Sequence, residues 1–304
     1  MPLISIILPT YNVEKYIARA LESCINQTLK DIEIIVVDDK GQDRSIDIAK
    51  EYANIDDRIK IIDNITNQGT YEARNIGVRN ANSELIMFLD PDDELELNAC
   101  EIVNSIAGGG QSCIDMICFN AIYIQENKII QVKTFNDECF VNSNFHKFIY
   151  GIDSFWNLCF KCVKKDLYLK SITFIDITSK INMAEDALVF YFILNCSKNI
   201  ISVSTYLYKY YINSNSIMNT GNLKKIKANI STEKYVINLI GRNKSKDTKK
   251  IKRILLYRLK KSLVYKLYKY RTTKYPRIKP LFRLILSINK KYFKIIGFLN
   301  NFKI

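Results

Sequence analysis

Carboxylate side chains are concentrated after one apolar run of this 304-residue sequence. Asp90, Asp92 and Asp93 follow Leu85–Leu89, and three carboxylates within four residues repel one another unless a cation compensates for them. A Mg²⁺ or Mn²⁺ ion prefers oxygen ligands and commonly takes one or two carboxylates together with substrate phosphates. The Asp-x-Asp spacing is therefore suited to a metal–diphosphate, while a solvated acidic turn around Pro91 would explain the same residues.

Other polar residues also stand near the ends of apolar runs. Asp38 and Asp39 follow Ile32–Val37, where a carboxylate could accept the N–H of a uracil base or could simply cap a turn and a helix. Tyr11 follows the first apolar run and could stack on that base. Arg74 could pair with phosphate charge, or could be an ordinary surface arginine of a helix.

Alternating strand and helix patterns must position these residues. Apolar, β-branched runs predict strands at Ile4–Leu8, Ile32–Val37, Ile59–Ile62 and Leu85–Leu89, with helical spacing between them. Such alternation predicts an α/β fold with a parallel sheet that is covered on both faces. Ligands of these sheets bind beyond the carboxyl ends of the strands, which is where the polar residues stand. Residues 113 to 222 are less regular, with apolar runs at Ile114–Phe119 and Ile200–Tyr211 and a helical pattern after Glu185.

The charge is unevenly distributed along the chain. Residues 224–304 contain 25 lysines and arginines against two acids, a net charge of +23, whereas the other 223 residues contain 20 bases and 29 acids, a net charge of −9. The net charge of +14 therefore describes neither part. The last segment also has a persistent apolar face from Leu281 to Phe302.

Several classes of protein are excluded at this stage. No run of about 18 apolar residues predicts a membrane-spanning helix, and the N-terminus lacks the pattern of a signal peptide. The eight cysteines are scattered, which is typical of unmodified thiols in a reducing compartment. Cys159-x-x-Cys162 lacks a second pair, and His146 is the only histidine, so we expect no zinc site and no catalytic histidine.

Four motifs in a fixed order then resemble the family 2 glycosyltransferases. They are Pro9-Thr10-Tyr11-Asn12, Val37-Asp38-Asp39, Asn67-x-Gly-x-x-x-Ala-Arg-Asn-x-Gly77 and Phe88-Leu-Asp-x-Asp-Asp93. The resemblance is dense over residues 3–100 and thinner to about residue 220. More closely, ISIILPTYNVEKYIARALESCINQTLKDIEIIVVDD, FLDPDDELELNAC and INMAEDALVF are similar to the lipooligosaccharide β-1,3-galactosyltransferases of mucosal Gram-negative bacteria.

The resemblance implies a GT-A fold, which is a Rossmann-like nucleotide-binding sheet with helices on both faces. It also implies a UDP-sugar donor, a Mn²⁺ or Mg²⁺ ion and inversion at the anomeric carbon. By position, Pro9, Tyr11 and Asp39 would hold the uridine, and Arg74 would lie near the donor.

The same resemblance assigns the remaining site residues. Asp90 and Asp92 would hold the metal and the diphosphate, and the acid pair that opens a later helix, Glu185-Asp186, would supply the general base. Helical neighbours point about 100° apart, so one of the pair faces the acceptor, and we expect it to be Asp186. Acids that stabilise a helix start are the alternative. Trp156 could stack on an acceptor sugar or could belong to the core.

We accordingly predict three segments and a location. Residues 1–107 would bind the nucleotide-sugar, residues 108–223 would bind the acceptor, and residues 224–304 would form a basic, amphipathic helical tail. The tail lacks a nucleic-acid-binding motif, so we expect no nucleic acid as a partner and expect it to bind an anionic membrane. Packing of the last helix on the body, or a dimeric coil, is the alternative. The enzyme would then be cytoplasmic and peripheral on the inner face of the cytoplasmic membrane, next to a lipid-linked oligosaccharide acceptor.

Two other functions remain open at the level of sequence. The same fold could transfer glucose or an N-acetylhexosamine to another bacterial glycan. A non-catalytic protein that binds nucleotide-sugars at a membrane would be expected to lose Asp90, Asp92 or Asp186, and all three acids are present.

Overall fold

The structure is a computed structural model that describes residues 1–108, 113–126, 128–141, 144–145, 156–181, 183–212, 222–243 and 249–274. The chain divides into two compact units. Unit 1 comprises Met1–Ile181 and Glu185–Asn213, and unit 2 comprises Asn182–Ala184 and Ser214–Ile304. All carboxylates and the arginine that the sequence assigned to a site belong to unit 1.

The four N-terminal apolar runs form parallel strands, as predicted. Their bounds are β1 Ile4–Thr10, β2 Ile32–Asp38, β3 Ile59–Asp63 and β4 Leu85–Phe88. Every residue of β1 and β2 is buried, which indicates that both faces of the sheet are covered. The register pairs Thr10 with Asp38 and Asp38 with Asp63, so the carboxyl ends of these strands meet at one edge of the sheet.

Helices connect these strands and supply the apolar residues that cover the sheet. Their bounds are α1 Ile17–Ile25, α2 Ser45–Ala53, α3 Thr70–Asn80 and α4 Ala99–Ile106. Of the apolar residues that recur at helical spacing from Val13 to Cys24, Ile17, Ala20, Leu21 and Cys24 lie in α1 and are completely buried in the same core as β1 and β2, whereas Val13 precedes the helix and is partly buried. The helical spacing of apolar residues therefore gave the buried face correctly.

The remainder of unit 1 extends the sheet with antiparallel and parallel strands. These elements are β5 Glu94–Leu95, β6 Met116–Gln125, β7 Lys128–Val132, β8 Glu138–Val141, β9 Lys161–Lys164, β10 Asn199–Tyr211, α5 Lys165–Ile172 and α6 Glu185–Cys196. Among the described residues the strands form one sheet in the order β3-β2-β1-β4-β9-β6-β10-β5, with β7 on β6 and β8 on β10. Strand β9 runs antiparallel to both β4 and β6. The predicted α/β architecture is confirmed, although the sheet is mixed rather than wholly parallel, because β5, β7, β8 and β9 pair antiparallel with their neighbours.

A glycine allows α3 to lie unusually close to the sheet. A Cβ atom on Gly77 would lie 2.4 Å from Cγ2 of Ile7 and 3.3 Å from Cγ2 of Val37. The first distance is shorter than any tolerated carbon–carbon contact, so only glycine fits without movement of the helix or the strand. Arg74 stands one turn earlier on the same helix, and its position therefore depends on this approach.

The described part of unit 2 includes the helices α7 Leu223–Arg242 and α8 Lys249–Lys274, which contact each other. The side chain of Asn222 caps α7 by accepting the N–H of Lys224 at 2.9 Å. Helix α8 carries 11 lysines and arginines and no acid. Lys266 of α8 forms an ion pair of 3.0 Å with the buried Glu233 of α7. In the part of the chain that the structure describes, no helix is both long and apolar enough to cross a bilayer. The predicted apolar face from Leu281 to Phe302 lies outside the described residues.

We expect Gly77→Ala to lower the free energy of unfolding by about 1–3 kcal/mol, because the added methyl group overfills the contact with Ile7. Gly241→Ala is the matched control. Gly241 lies in helix α7, and a Cβ atom there would have no neighbour within 4 Å among the described residues. Alanine has the higher helix propensity, so the control should not be destabilised. Urea unfolding of both variants would measure the difference, and equal stabilities would show that the close approach does not constrain α3.

Candidate active site

The acidic segment after β4 forms a tight turn. The N–H of Asp93 donates to the carbonyl of Asp90 at 2.9 Å, and Pro91 occupies the second position, where its fixed φ favours such a turn. Asp93 is buried, and its carboxylate accepts the hydroxyl of Tyr208 at 2.8 Å. Asp90 and Asp92 are only partly buried. Asp93 therefore anchors the turn, and the two acids of the Asp-x-Asp spacing are the ones that solvent reaches.

Arg74 brings the two acidic segments together. Its guanidinium is almost completely buried, and Nη2 lies 2.7 Å from Oδ1 of Asp90. Nη1 lies 3.6 Å from Oε1 of Glu185 and donates a short hydrogen bond to Oδ1 of Asp186, which is 112 residues away in the sequence. Burial works to lower the pKa of Arg74, but the carboxylates of Asp186, Asp90 and Glu185 outweigh it and raise the pKa above its ordinary value. The arginine is thus a permanent buried cation among three carboxylates.

The acid pair occupies the first turn of α6 and is partly buried. Burial, and then the neighbouring charge of Asp186, raises the pKa of Glu185 to about 7, although Arg74 acts in the opposite direction. Burial also raises the pKa of Asp186, against the lowering influence of Arg74 and with a further raising influence of Asp90. A raised pKa brings a carboxylate closer to the proton affinity that a general base needs near neutral pH.

The residues predicted to bind uridine lie at the carboxyl edge of β1 and β2. Pro9 is buried within β1, whereas the ring of Tyr11 is 47% exposed just beyond it. Asp39 is buried, and its two carboxylate oxygens accept the N–H groups of Gln68 at 2.7 Å and Gly69 at 2.9 Å. Asp39 therefore holds the loop before α3 in place. Of the three residues predicted to bind uridine, Tyr11 is the one whose side chain is exposed.

Trp156 stands in the segment that leads to β9. It is half-buried and stands two residues before Leu158, whose N–H donates to Oδ2 of Asp186 at 3.4 Å. The same segment is fixed by Lys161, a completely buried lysine whose Nζ donates to the carbonyl of Asn157 at 2.6 Å. Burial of Lys161 could not be predicted from the sequence, because lysine is normally solvent-exposed.

Two further residues that the sequence did not reveal hold the acidic turn. Nη2 of Arg19 donates to the carbonyl of Asp92 at 2.5 Å, and its Nε lies 3.0 Å from Oε1 of Glu94. The hydroxyl of Tyr208 accepts the N–H of Asp90 at 3.1 Å. Arg19 belongs to no motif, and Tyr208 stood out only as part of the apolar run Ile200–Tyr211.

Asp90 and Asp92 form a small set of hard oxygen donors. The described residues contain no group of three His, Cys, Asp or Glu side chains arranged around a metal ion. Two carboxylates on a partly exposed turn fit a Mg²⁺ or Mn²⁺ ion that completes its coordination with phosphate oxygens and water. Cys159 and Cys162 are buried free thiols, as the sequence predicted, and His146 lies outside the described residues.

Comparison with known proteins places this arrangement in a family context. The profile of the family described as Glycosyl transferase family 2 matches residues 5–172. An uncharacterized glycosyltransferase of Haemophilus influenzae is 47% identical over 93 residues, which is 31% of this chain and 37% of that protein. The minor teichoic acid biosynthesis protein GgaB of Bacillus subtilis is 30% identical over 275 residues, which is 86% of this chain and 29% of that protein. The chain thus spans about a third of the length of these two relatives.

Solved structures show the same fold. TarS residues 1–349 of S. aureus, in complex with UDP-GlcNAc, superposes with a TM-score of 0.66 at 19% identity and covers 89% of this chain and 81% of its own. The mannosyltransferase PcManGT of Pyrobaculum calidifontis, in complex with GDP-Man and Mn²⁺, gives a TM-score of 0.59 at 13% identity over 99% of this chain and 84% of its own. At these identities the similarity extends to the fold alone.

We expect Arg74→Met to lower the free energy of unfolding at pH 8 by about 3–5 kcal/mol, because it leaves three carboxylates without their buried cation. Without Arg74 the pKa values of these carboxylates rise, so at pH 5, which is below the pKa of about 7 of Glu185, they are protonated and no longer repel one another. The variant should therefore lose less free energy of unfolding at pH 5 than at pH 8.

Arg79→Met on the same helix is the matched control for this variant. Arg79 is exposed and pairs with Glu72 at 2.7 Å, so its removal should cost less than about 1 kcal/mol. Denaturant unfolding at the two pH values would measure both variants. A pH-independent loss in Arg74→Met would contradict the electrostatic role assigned to Arg74.

Proposed function

Because this chain belongs to glycosyl transferase family 2, we propose that it transfers a hexose from a UDP-sugar to a bacterial surface glycan, with inversion at the anomeric carbon. The observation that carries this proposal is the contact of Arg74 with Asp90 on one side and with Asp186 on the other. It joins the donor-side turn and the acid pair into one site at the carboxyl edge of the sheet. This is the arrangement that attack by a hydroxyl group on a sugar–diphosphate requires.

The donor would lie along the carboxyl ends of β1, β2 and β4. Residues 1–107 are proposed to bind the nucleotide-sugar and residues 108–223 the acceptor. The exposed ring of Tyr11 would stack on the uracil, and Pro9 and Asp39 would shape the base pocket, Asp39 through the loop that it holds. The UDP-GlcNAc bound by TarS supports a UDP-sugar as the class of donor.

Asp90 and Asp92 would hold a Mn²⁺ or Mg²⁺ ion against the diphosphate of the donor. A divalent ion supplies Lewis acidity that offsets the charge developing on the departing diphosphate. The Mn²⁺ in the PcManGT complex supports this choice of cofactor. Arg74 holds one oxygen of Asp90 and thereby fixes the direction from which the turn presents its carboxylates.

Asp186 is proposed as the general base, with Glu185 as its partly buried neighbour in the first turn of α6. Oδ1 of Asp186 is held by Arg74 and Oδ2 by the N–H of Leu158, whereas Glu185 has one long ion pair. Asp186 would take the proton of the acceptor hydroxyl as that oxygen attacks C1 of the sugar from the face opposite UDP. Trp156, just before Leu158, would contact the acceptor sugar.

Galactose, a β-1,3 linkage and a lipooligosaccharide acceptor are proposed from the resemblance of the three sequence stretches described above. The teichoic acid relative points to a different glycan, and glucose or an N-acetylhexosamine would fit the same site. The test of the proposed reaction therefore compares several donor sugars.

Unit 2 is proposed to bring the enzyme to the inner face of the cytoplasmic membrane, where a lipid-linked acceptor would be available. Helix α8 offers a dense positive charge, including the exposed Lys249, Lys250, Lys260 and Lys261. Its apolar residues Ile251, Leu255 and Leu259 are buried, so contact with headgroups is assigned to its lysines. Insertion between acyl chains is assigned to the face from Leu281 to Phe302.

The test of the proposed reaction measures UDP release from UDP-galactose, UDP-glucose and UDP-N-acetylglucosamine with truncated lipooligosaccharide acceptors and Mn²⁺. We expect UDP-galactose to react fastest.

Asp186→Asn should bind UDP normally and lower kcat by about 10²–10⁴-fold, because it removes the proton acceptor. Glu185→Gln should retain turnover, because Asp186 keeps its contacts with Arg74 and with the N–H of Leu158.

The two acid variants are controls for each other. Loss of turnover in Glu185→Gln together with near-normal turnover in Asp186→Asn would reverse the assignment of the base. Absence of UDP release with every donor and acceptor would contradict the proposed reaction.

Charge reversal tests the proposed membrane contact. Glu substitutions at Lys249, Lys250, Lys260 and Lys261 should weaken binding to vesicles of phosphatidylglycerol and phosphatidylcholine by more than about 100-fold, since each lysine near an anionic surface contributes about 1 kcal/mol. The matched control makes the same change at four exposed lysines of unit 1: Lys15, Lys30, Lys128 and Lys133. Vesicle sedimentation measures both. Equal binding of the two variants would place the membrane contact elsewhere.

A further inference from the structure

The acidic turn is held by a strand that lies far from it in the sequence. Strand β10 pairs with β5, the short strand directly after the turn, through Tyr208 opposite Leu95 and Lys209 opposite Glu94. The hydroxyl of Tyr208 lies at the turn itself, 118 residues from Asp90. The last strand of unit 1 therefore contacts the segment that carries the Asp-x-Asp spacing.

The Tyr208 hydroxyl makes two hydrogen bonds, one to each end of the turn. It accepts the N–H of Asp90 at 3.1 Å and donates to Oδ2 of Asp93 at 2.8 Å. Tyr208 is 0% exposed and Asp93 is 1% exposed, so water cannot replace either bond. The ring is fixed by a T-shaped contact with Phe160 at a centroid distance of 5.2 Å.

Other contacts fix the turn in the same place. Oδ1 of Asp93 accepts the N–H of Tyr211 at 2.7 Å, and Arg19 holds the carbonyl of Asp92 at 2.5 Å. The guanidinium of Arg19 stacks on the ring of Tyr211 with 3.5 Å between the guanidinium carbon and the ring centroid. Tyr208 therefore binds the backbone N–H of Asp90, while Arg74 pairs with the carboxylate of the same residue.

We propose that Tyr208 is a positioning residue for the divalent cation, because its hydroxyl sets the backbone of the Asp90–Asp93 turn and thereby the separation of the carboxylates of Asp90 and Asp92. The inference rests on the proposed function, since it takes these two acids as the protein ligands of the ion. Partners that orient metal-binding carboxylates typically contribute 10–100-fold to metal affinity or activity. Tyr208 would contribute through affinity, because it touches neither substrate nor the reacting atoms.

The experiment measures Mn²⁺ binding to the full chain in the presence of saturating UDP, from the electron paramagnetic resonance signal of free Mn²⁺. Tyr208→Phe keeps the ring and removes the hydroxyl. We expect its Kd for Mn²⁺ to rise about 10–100-fold, and its kcat to recover at saturating Mn²⁺. A tyrosine that serves stability alone would lower the melting temperature and leave the Kd of the folded protein unchanged.

Tyr123→Phe is the matched control. The Tyr123 ring packs on the same Phe160 at 6.4 Å, and within the described residues its hydroxyl has no hydrogen-bond partner, so its Kd for Mn²⁺ should stay within about twofold of the unmodified chain. Asp93→Asn is the second variant if Tyr208→Phe does not fold. It keeps the size of the side chain and weakens the same anchor, and we expect the Kd to rise.

The outcomes separate this inference from the proposed function. A normal Mn²⁺ Kd in the folded Tyr208→Phe variant, or in Asp93→Asn where that variant replaces it, would overturn the role of Tyr208 and leave the proposed function intact. Absence of UDP-dependent Mn²⁺ binding by the unmodified chain would overturn the metal-dependent function itself, and with it this inference.

Discussion

The buried guanidinium of Arg74 is the constraint on which the site depends. Asp90, Glu185 and Asp186 come from distant parts of the chain, and three carboxylates at this spacing repel one another strongly in a partly buried region. A surface lysine could not hold them, because a flexible ammonium lacks the planar fork that contacts several carboxylates at once. Removing an arginine from water is costly, so the charge can remain only while its carboxylates surround it.

The order of strands explains how one helix can provide that cation. Close contact between Gly77 and Ile7 places α3 against β1, beside β4 and its acidic turn. Strand β9, inserted antiparallel between β4 and β6, then carries the Asn157–Leu158 segment to the acid pair. Both halves of unit 1 therefore meet at the end of β4. Small shifts of either half would change the distances around Arg74, which makes packing in the core and chemistry at the edge interdependent.

Local patterns in the sequence predicted much of this. Apolar runs predicted β1 to β4 and helical spacing predicted the buried face of α1, because both signals depend on nearest neighbours in one element. The position of polar residues after strands also predicted which edge carries the site. Tyr208 and Lys161 could not be predicted, since their roles arise from hydrogen bonds with Asp90 and Asn157 that exist only after the strands have paired. The joining of Arg74 to Asp186 is of the same non-local kind.

Charge balance at the proposed site indicates what a divalent cation would contribute besides Arg74. The net charge of the chain is positive, but charges separated by more than about 8–10 Å in physiological salt are screened, so neutralisation must be local. One guanidinium faces three carboxylates, and Asp92 adds a fourth on the same turn as Asp90. A diphosphate would meet this excess negative charge without compensation. A divalent ion held by Asp90 and Asp92, as proposed, would reverse the sign of this interaction, so that the acidic turn would attract the donor.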